Sequence, residues 1–179
     1  MRILTSPDPR LRQECEPVEL GDKRVKRLSR QMLREMYRAD GVGLAAPQVG
    51  ELIRLVVIDT GYAEQGEDAS PLGKNPYVFV NPVIVDHAEQ TVTSQEGCLS
   101  LPGISVEVER WEWVTVECYD ENFEPVERTG DGLFGRCMQH ELDHLDGITL
   151  FERLDGITRM RALQAYKQAV AAGARPGDV

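Results

Sequence analysis

The stretch Asp131-Gly132-Leu133-Phe134-Gly135-Arg136-Cys137-Met138-Gln139-His140-Glu141-Leu142-Asp143-His144-Leu145-Asp146-Gly147 carries two of the chain's three histidines. Leu133, Phe134, Cys137 and Leu145 recur at helical spacing, so a helix is predicted over 132–145, with Asp131 as N-cap and Gly147 as its stop. Within it, His140-Glu141-Leu142-Asp143-His144 reads H-E-x-x-H. Positions i and i+4 share one helix face, so both imidazoles can reach one metal ion. Glu141, beside the first histidine, is placed to move protons for a water held by that metal.

Upstream of this helix the pattern changes period. Asp22 is the expected N-cap of an amphipathic helix over 23–38, built on Val25, Leu28, Met32, Leu33, Met36 and Tyr37, with Gly41 at its end. Leu52 to Asp59 and Tyr77 to Val85 read as strands, and the polar run Thr60 to Pro76 between them reads as a surface loop. From Thr91 to about Thr129 the chain is β-rich, with Val106 and Val108, then Val114, Val116 and Cys118, alternating with their neighbours. A last helix is expected over about 158–172, followed by a tail, 173–179. This order favours an α+β fold, with mainly antiparallel sheets packed around a central metal-binding helix and a helix near each end. Residues 1–179 contain no linker, so one domain is expected.

The hydrophobic fraction of 41% is ordinary for a globular enzyme. No apolar run reaches the roughly 18 residues that span a bilayer. The start, Met1-Arg2-Ile3-Leu4-Thr5-Ser6-Pro7, lacks the apolar core of a signal peptide, so a cytoplasmic location is expected. The four cysteines then read as thiols or a metal ligand, not as disulfides. A net charge of −10 argues against direct DNA binding, which needs clustered cations. The segment from Arg153 onward departs from this, with five basic residues (Arg153, Arg159, Arg161, Lys167, Arg175) against two acidic ones (Asp155, Asp178).

Two histidines do not complete a catalytic site, which usually has three protein ligands and an open position. An extended zinc motif would place its third ligand at Leu150, which cannot bind metal. Glu152 is a weak candidate beyond the helix. Among the cysteines, Cys118 reads as core, Cys15 has no metal-like neighbour, and Cys137 is suited to lining a pocket beside the histidines. Cys98 follows Gly97, whose freedom lets the thiol be aimed out of the sheet. The residues alone leave the choice open.

Three segments together resemble the polypeptide deformylase family: Gly41-Val42-Gly43-Leu44-Ala45-Ala46-Pro47-Gln48, Glu96-Gly97-Cys98-Leu99-Ser100 and Gln139-His140-Glu141-Leu142-Asp143-His144. The likeness runs from Pro7-Asp8-Pro9-Arg10-Leu11-Arg12 to about Leu154. It implies a monomeric enzyme that removes the formyl group from N-formylmethionyl nascent peptides. It also implies Cys98, His140 and His144 as ligands of one divalent metal, typically Fe(II), with Ni(II), Co(II) or Zn(II) as substitutes. Glu141 becomes the general base and acid, and the Gln48 amide with the Leu99 backbone N–H become oxyanion donors. Val42, Leu44, Leu133 and Cys137 become candidates for the methionine pocket, and Gly43 for backbone contact with the peptide. Many members carry arginine where this chain has Ser105, which bears on contact with the peptide tail. In bacterial relatives a basic C-terminal helix docks on the ribosome. The competing readings are an H-E-x-x-H endopeptidase and a non-catalytic binder of peptide or metal.

Overall fold

The computed structural model describes residues 1–61 and 74–178, so most of the expected loop over 60–76 lies outside the described residues. The elements are α1 (Val25–Arg38), β1 (Gly43–Ala45), β2 (Leu55–Ile58), β3 (Tyr77–His87), β4 (Thr91–Gly97), β5 (Ser105–Trp111), β6 (Trp113–Tyr119), β7 (Pro125–Asp131), α2 (Gly132–Leu145) and α3 (Gly156–Ala171). Five strands form one sheet in the order β1-β2-β3-β6-β7, and β4 pairs with β5 in a second. Every strand pairing is antiparallel. This is the expected α+β arrangement.

Side-chain alternation explains why the large sheet is covered on both faces. In β2, Val56 and Ile58 join the core under α2, with Ala45, Phe79, Val114, Val116, Met138 and Leu145. Leu55 and Val57 point the other way, into the core under α1 with Met32, Met36, Leu44 and Val80. All four β2 side chains are buried, so this strand shows no polar face. A third cluster, with Leu101, Val106, Val108, Phe151 and Tyr166, joins β5 to α3.

The α2 bounds match the expected helix residue for residue, and Gly147 takes the predicted left-handed conformation at φ +70°. Asp131 holds the N-cap position in extended backbone, but its side chain makes no capping bond. Other boundaries move. α1 starts at Val25 because Asp22 spends its side chain on a turn, accepting from Arg24 N at 2.9 Å. Asp40, at φ 50°, makes the left-handed turn after α1. Gly41 is needed for another reason: a Cβ there would sit 2.6 Å from the Leu99 Cδ1. The strand expected over 52–59 shortens to Leu55–Ile58, since Ile53 is held in an isolated parallel bridge with Glu16. α3 starts at Gly156, two residues early, because Asp155 caps it by accepting from Thr158 N at 3.0 Å.

Candidate metal centre

The α2 helix is not a surface helix: every residue from Cys137 to Leu145 is buried. His140 and His144, one turn apart on it, meet Cys98, which follows β4 directly. One ligand atom from each of these three residues lies within 4.8 Å of the others, and Cys98 Sγ is 3.2 Å from His144 Nε2. A tetrahedral ion with one thiolate and two imidazoles holds its ligand atoms about 3.5 Å apart, so this trio is gathered closely enough for one ion. Burial alone would discharge His140, but hydrogen bonds to Cys98 and Glu96 raise its pKa well above the usual imidazole value. The sulfur and carboxylate beside His140 favour a cation there, whereas burial holds the His144 pKa well below the usual imidazole value, in the neutral form that can ligate a metal.

Behind the histidines lies a buried ionic chain. The His140 Nδ1 donates to Glu96 Oε2 at 2.9 Å, which leaves Nε2 for a metal. Arg110 donates to both Glu96 oxygens, at 2.9 and 3.0 Å, and to Asp143 Oδ2 at 2.6 Å. Arg153 closes the far end on Asp143. Burial opposes charge on Glu96, but the hydrogen bonds from His140 and Arg110 hold its carboxyl down at about 2. Arg110 is only 3% exposed at its side chain, so removing it takes a buried cation away from two buried carboxylates and leaves them to His140 and Arg153. Arg110→Leu is expected to cost about 3–5 kcal/mol in urea unfolding. Adding Glu96→Gln should recover part of that loss; a single-variant loss below about 1 kcal/mol would remove the network from the fold's stability.

Glu141 lines one cavity with Cys98 and His140. Its Oε2 is buried with no partner among the described residues. Burial is the strongest influence on its carboxyl and pushes it up to about 7, against the pull of His140. Gly43 on β1 faces it so closely that any Cβ would collide with Glu141 Oε1 and sit 2.6 Å from Cys137 Sγ. The Gln48 Oε1 accepts from Ala45 N at 2.8 Å, which turns Nε2 toward Ser100 Oγ at 3.2 Å and Cys98 Sγ at 3.6 Å. The Leu99 backbone N–H has no hydrogen bond among the described residues.

These groups open on a cavity of about 230 Å³ lined by Val42, Gly43, Gln48, Cys98, Leu99, Leu133, Cys137, His140 and Glu141. That is below the roughly 300–1,000 Å³ of sites for drug-sized ligands, and it suits one side chain with a small acyl group. Leu44 is the exception among the expected pocket residues. Strand alternation sends Gly43 and Ala45 toward α2 and the Leu44 side chain to the opposite core, where it is fully buried. Ser105 lies on β5 outside the lining and donates to Gln95 Oε1 at 3.1 Å. Glu152 is occupied elsewhere, accepting from Thr149 N at 3.0 Å and pairing with Arg159 at 2.8 Å. Cys15 and Cys118 are core.

Several site residues carry no role in the sequence reading. Glu96 appears there only as a motif letter. The tail residues Gly177 and Asp178 also line the cavity, fixed by a bond from Gly103 N to Asp178 O at 2.8 Å and by close approach of Gly177 to Ala39 O. A proline-glycine pair is the tail's only local signal.

A family model described as Polypeptide deformylase matches residues 1–160. The chain is 46% identical over 166 residues to a peptide deformylase of Aquifex aeolicus, covering 93% of this chain and 94% of the relative. It is 40% identical over 166 residues to a peptide deformylase of Brucella suis, covering 93% and 91%. Among solved structures it is similar to a peptide deformylase from Legionella pneumophila, with a TM-score of 0.84, 40% identity and coverage of 96% and 95%. It is also similar to the Synechococcus elongatus enzyme in complex with actinonin, with a TM-score of 0.82, 40% identity and coverage of 94% and 86%.

Proposed function

The chain belongs to the polypeptide deformylase family, and from that premise we propose how it removes the formyl group from N-formylmethionine at the start of new polypeptides. It is a metal-dependent hydrolase. The observation that supports the site assignment is the convergence of Cys98, His140 and His144, with Cys98 and His140 lining one small cavity beside the buried Glu141. We assign those three as the metal ligands and Fe(II) as the native ion, with Ni(II), Co(II) or Zn(II) able to take its place.

Held by Cys98, His140 and His144, a divalent ion would supply a more acidic water and polarise the formyl carbonyl. The remaining work falls to the chain. Glu141, with its carboxyl at about 7, takes a proton from the attacking water and returns it to the departing amine. Gln48 Nε2 and the Leu99 N–H donate to the oxygen that becomes negative as the carbonyl carbon turns tetrahedral. Leu133, Cys137 and Val42 receive the methionine side chain. Among the described residues β1 is an edge strand, paired only with β2, so Gly43 offers its free backbone edge to an extended peptide.

Gln48→Ala is expected to lower kcat by about 10²–10³, with little change in metal content. A drop below about threefold would remove Gln48 from the reaction. We further propose that residues 1–179 act as one monomeric domain in the cytoplasm; among the described residues no helix is long and apolar enough to cross a membrane. A ribosome contact through α3 would rest on Arg161 and Lys167 with Arg175 of the tail, because Arg153 and Arg159 are paired with Asp143 and Glu152.

The deciding experiment is turnover of formyl-Met-Ala-Ser by protein purified without oxygen, with metal measured on the same sample. Rapid release of formate with about one metal per chain supports the reading. A fully metallated protein that leaves the peptide intact overturns it. Cleavage of internal peptide bonds would instead favour an endopeptidase.

A further inference from the structure

Arg136 lines the same cavity from α2, one helical turn before His140. Five arginines are not fully exposed: Arg10, Arg54, Arg110, Arg136 and Arg159. Four of them are paired with carboxylates, Arg10 with Asp8, Arg54 with Asp146, Arg110 with Glu96 and Asp143, and Arg159 with Glu152. The Arg136 guanidinium has no hydrogen bond or ion pair among the described residues. A half-buried guanidinium has lost part of its water, and leaving its donors unmet costs free energy.

The acidic residues that line the cavity do not meet this need. Glu96 is held by Arg110 and His140. Asp178 accepts from Arg175 N at 2.6 Å. Asp40 is exposed, and Glu141 faces Gly43. None of the four forms an ion pair with Arg136. The acceptor must therefore arrive with the ligand.

We propose that Arg136 receives a carboxylate side chain, aspartate or glutamate, from one of the two residues that follow formylmethionine, so that the enzyme prefers nascent chains with an acidic residue there. This rests on the deformylase reading of the cavity. One helical turn sets the Arg136 and His140 backbones about 5–6 Å apart, and an extended peptide advances about 3.3 Å per residue. A guanidinium reaching outward from Arg136 thus meets the first or second residue beyond the methionine. The planar fork of arginine matches a carboxylate with two parallel bonds, which a lysine ammonium does not reproduce. Among the described residues that line this cavity, Arg136 is the single arginine.

The test compares kcat/KM of the full-length, metal-loaded enzyme on two peptide pairs: formyl-Met-Glu-Ser against formyl-Met-Lys-Ser, and formyl-Met-Ala-Glu-Ser against formyl-Met-Ala-Lys-Ser, with formyl-Met-Ala-Ser as reference. The wild type should favour glutamate in at least one pair, and Arg136→Gln should lower that ratio roughly tenfold, mainly through KM. Arg136→Lys should keep a smaller preference of the same sign. Because each ratio is taken within one preparation, partial loss of folded protein does not move it. Turnover of the reference with the same ratio in the wild type and both variants overturns the role of Arg136 alone. Failure of the metallated wild type on every formyl peptide overturns the deformylase reading, and this inference with it.

Discussion

Glu141→Ala retains the metal and the fold but loses turnover by a factor of at least about 10²–10⁴, the usual contribution of a positioned general base. The fold survives because Glu141 is not one of its anchors. Its Oε2 is buried without a partner among the described residues, and burial pushes the carboxyl up to about 7. Deleting a buried carboxyl with one unpartnered oxygen removes a desolvation cost as well as a side chain. The metal stays because the three assigned ligands, and the Glu96 carboxylate that orients His140, are untouched. Glu141→Gln is the stricter version. It keeps volume and shape beside Gly43 yet cannot accept a proton. Metal content, melting temperature and formate release measured on one preparation separate the effects. Near wild-type turnover in either variant would show that another group handles the proton.

Legibility in the sequence followed periodicity. Leu133, Phe134, Cys137 and Leu145 gave the α2 bounds, because a helix that packs on a sheet repeats its apolar positions. The side of β1 on which Leu44 falls was not readable. Gly43, Leu44 and Ala45 are all apolar and all buried, so no polar residue marks the alternation. Arg110 illustrates a pattern stopped too early. Val106 and Val108 alternate inward along β5, and Arg110 is the next inward position. A charged residue at a core position signals a buried pair, and here the partners are Glu96 and Asp143. The partners themselves were hidden because they lie 14 and 33 residues from Arg110 in sequence. Gly177 and Asp178 were hidden for a similar reason: the contacts with Ala39 and Gly103 are far apart along the chain and leave no repeat to detect. Cys98 fell between these cases. The glycine before it was a hint, but only the resemblance joined it to histidines on α2, with 46 residues separating it from His144.

That join is what Cys98→Ala tests, and its expected result is loss of the metal. His140 hydrogen-bonds the sulfur, and three more groups converge on it: the His144 Nε2 at 3.2 Å, the Ser100 backbone N–H at 3.4 Å and the Gln48 Nε2 at 3.6 Å. Removing an outer residue that merely orients a metal ligand typically weakens binding 10–100-fold, so removing a ligand itself should exceed about 100-fold. His140 and His144 alone would supply two protein ligands, short of the three that hold a catalytic ion. Cys98 also packs in the β5–α3 core, so some loss of stability is expected from the missing sulfur. Two readouts keep that loss from being mistaken for loss of a ligand. Circular dichroism reports the fold, and cobalt-loaded protein reports the sulfur directly, since a bound thiolate gives a charge-transfer absorption that alanine cannot. A folded Cys98→Ala protein with unchanged metal content and an unchanged cobalt spectrum would take Cys98 out of the coordination sphere. The third ligand would then have to come from elsewhere. Glu141 lines the same cavity, and as a ligand it would no longer serve as the proton carrier assigned to it here.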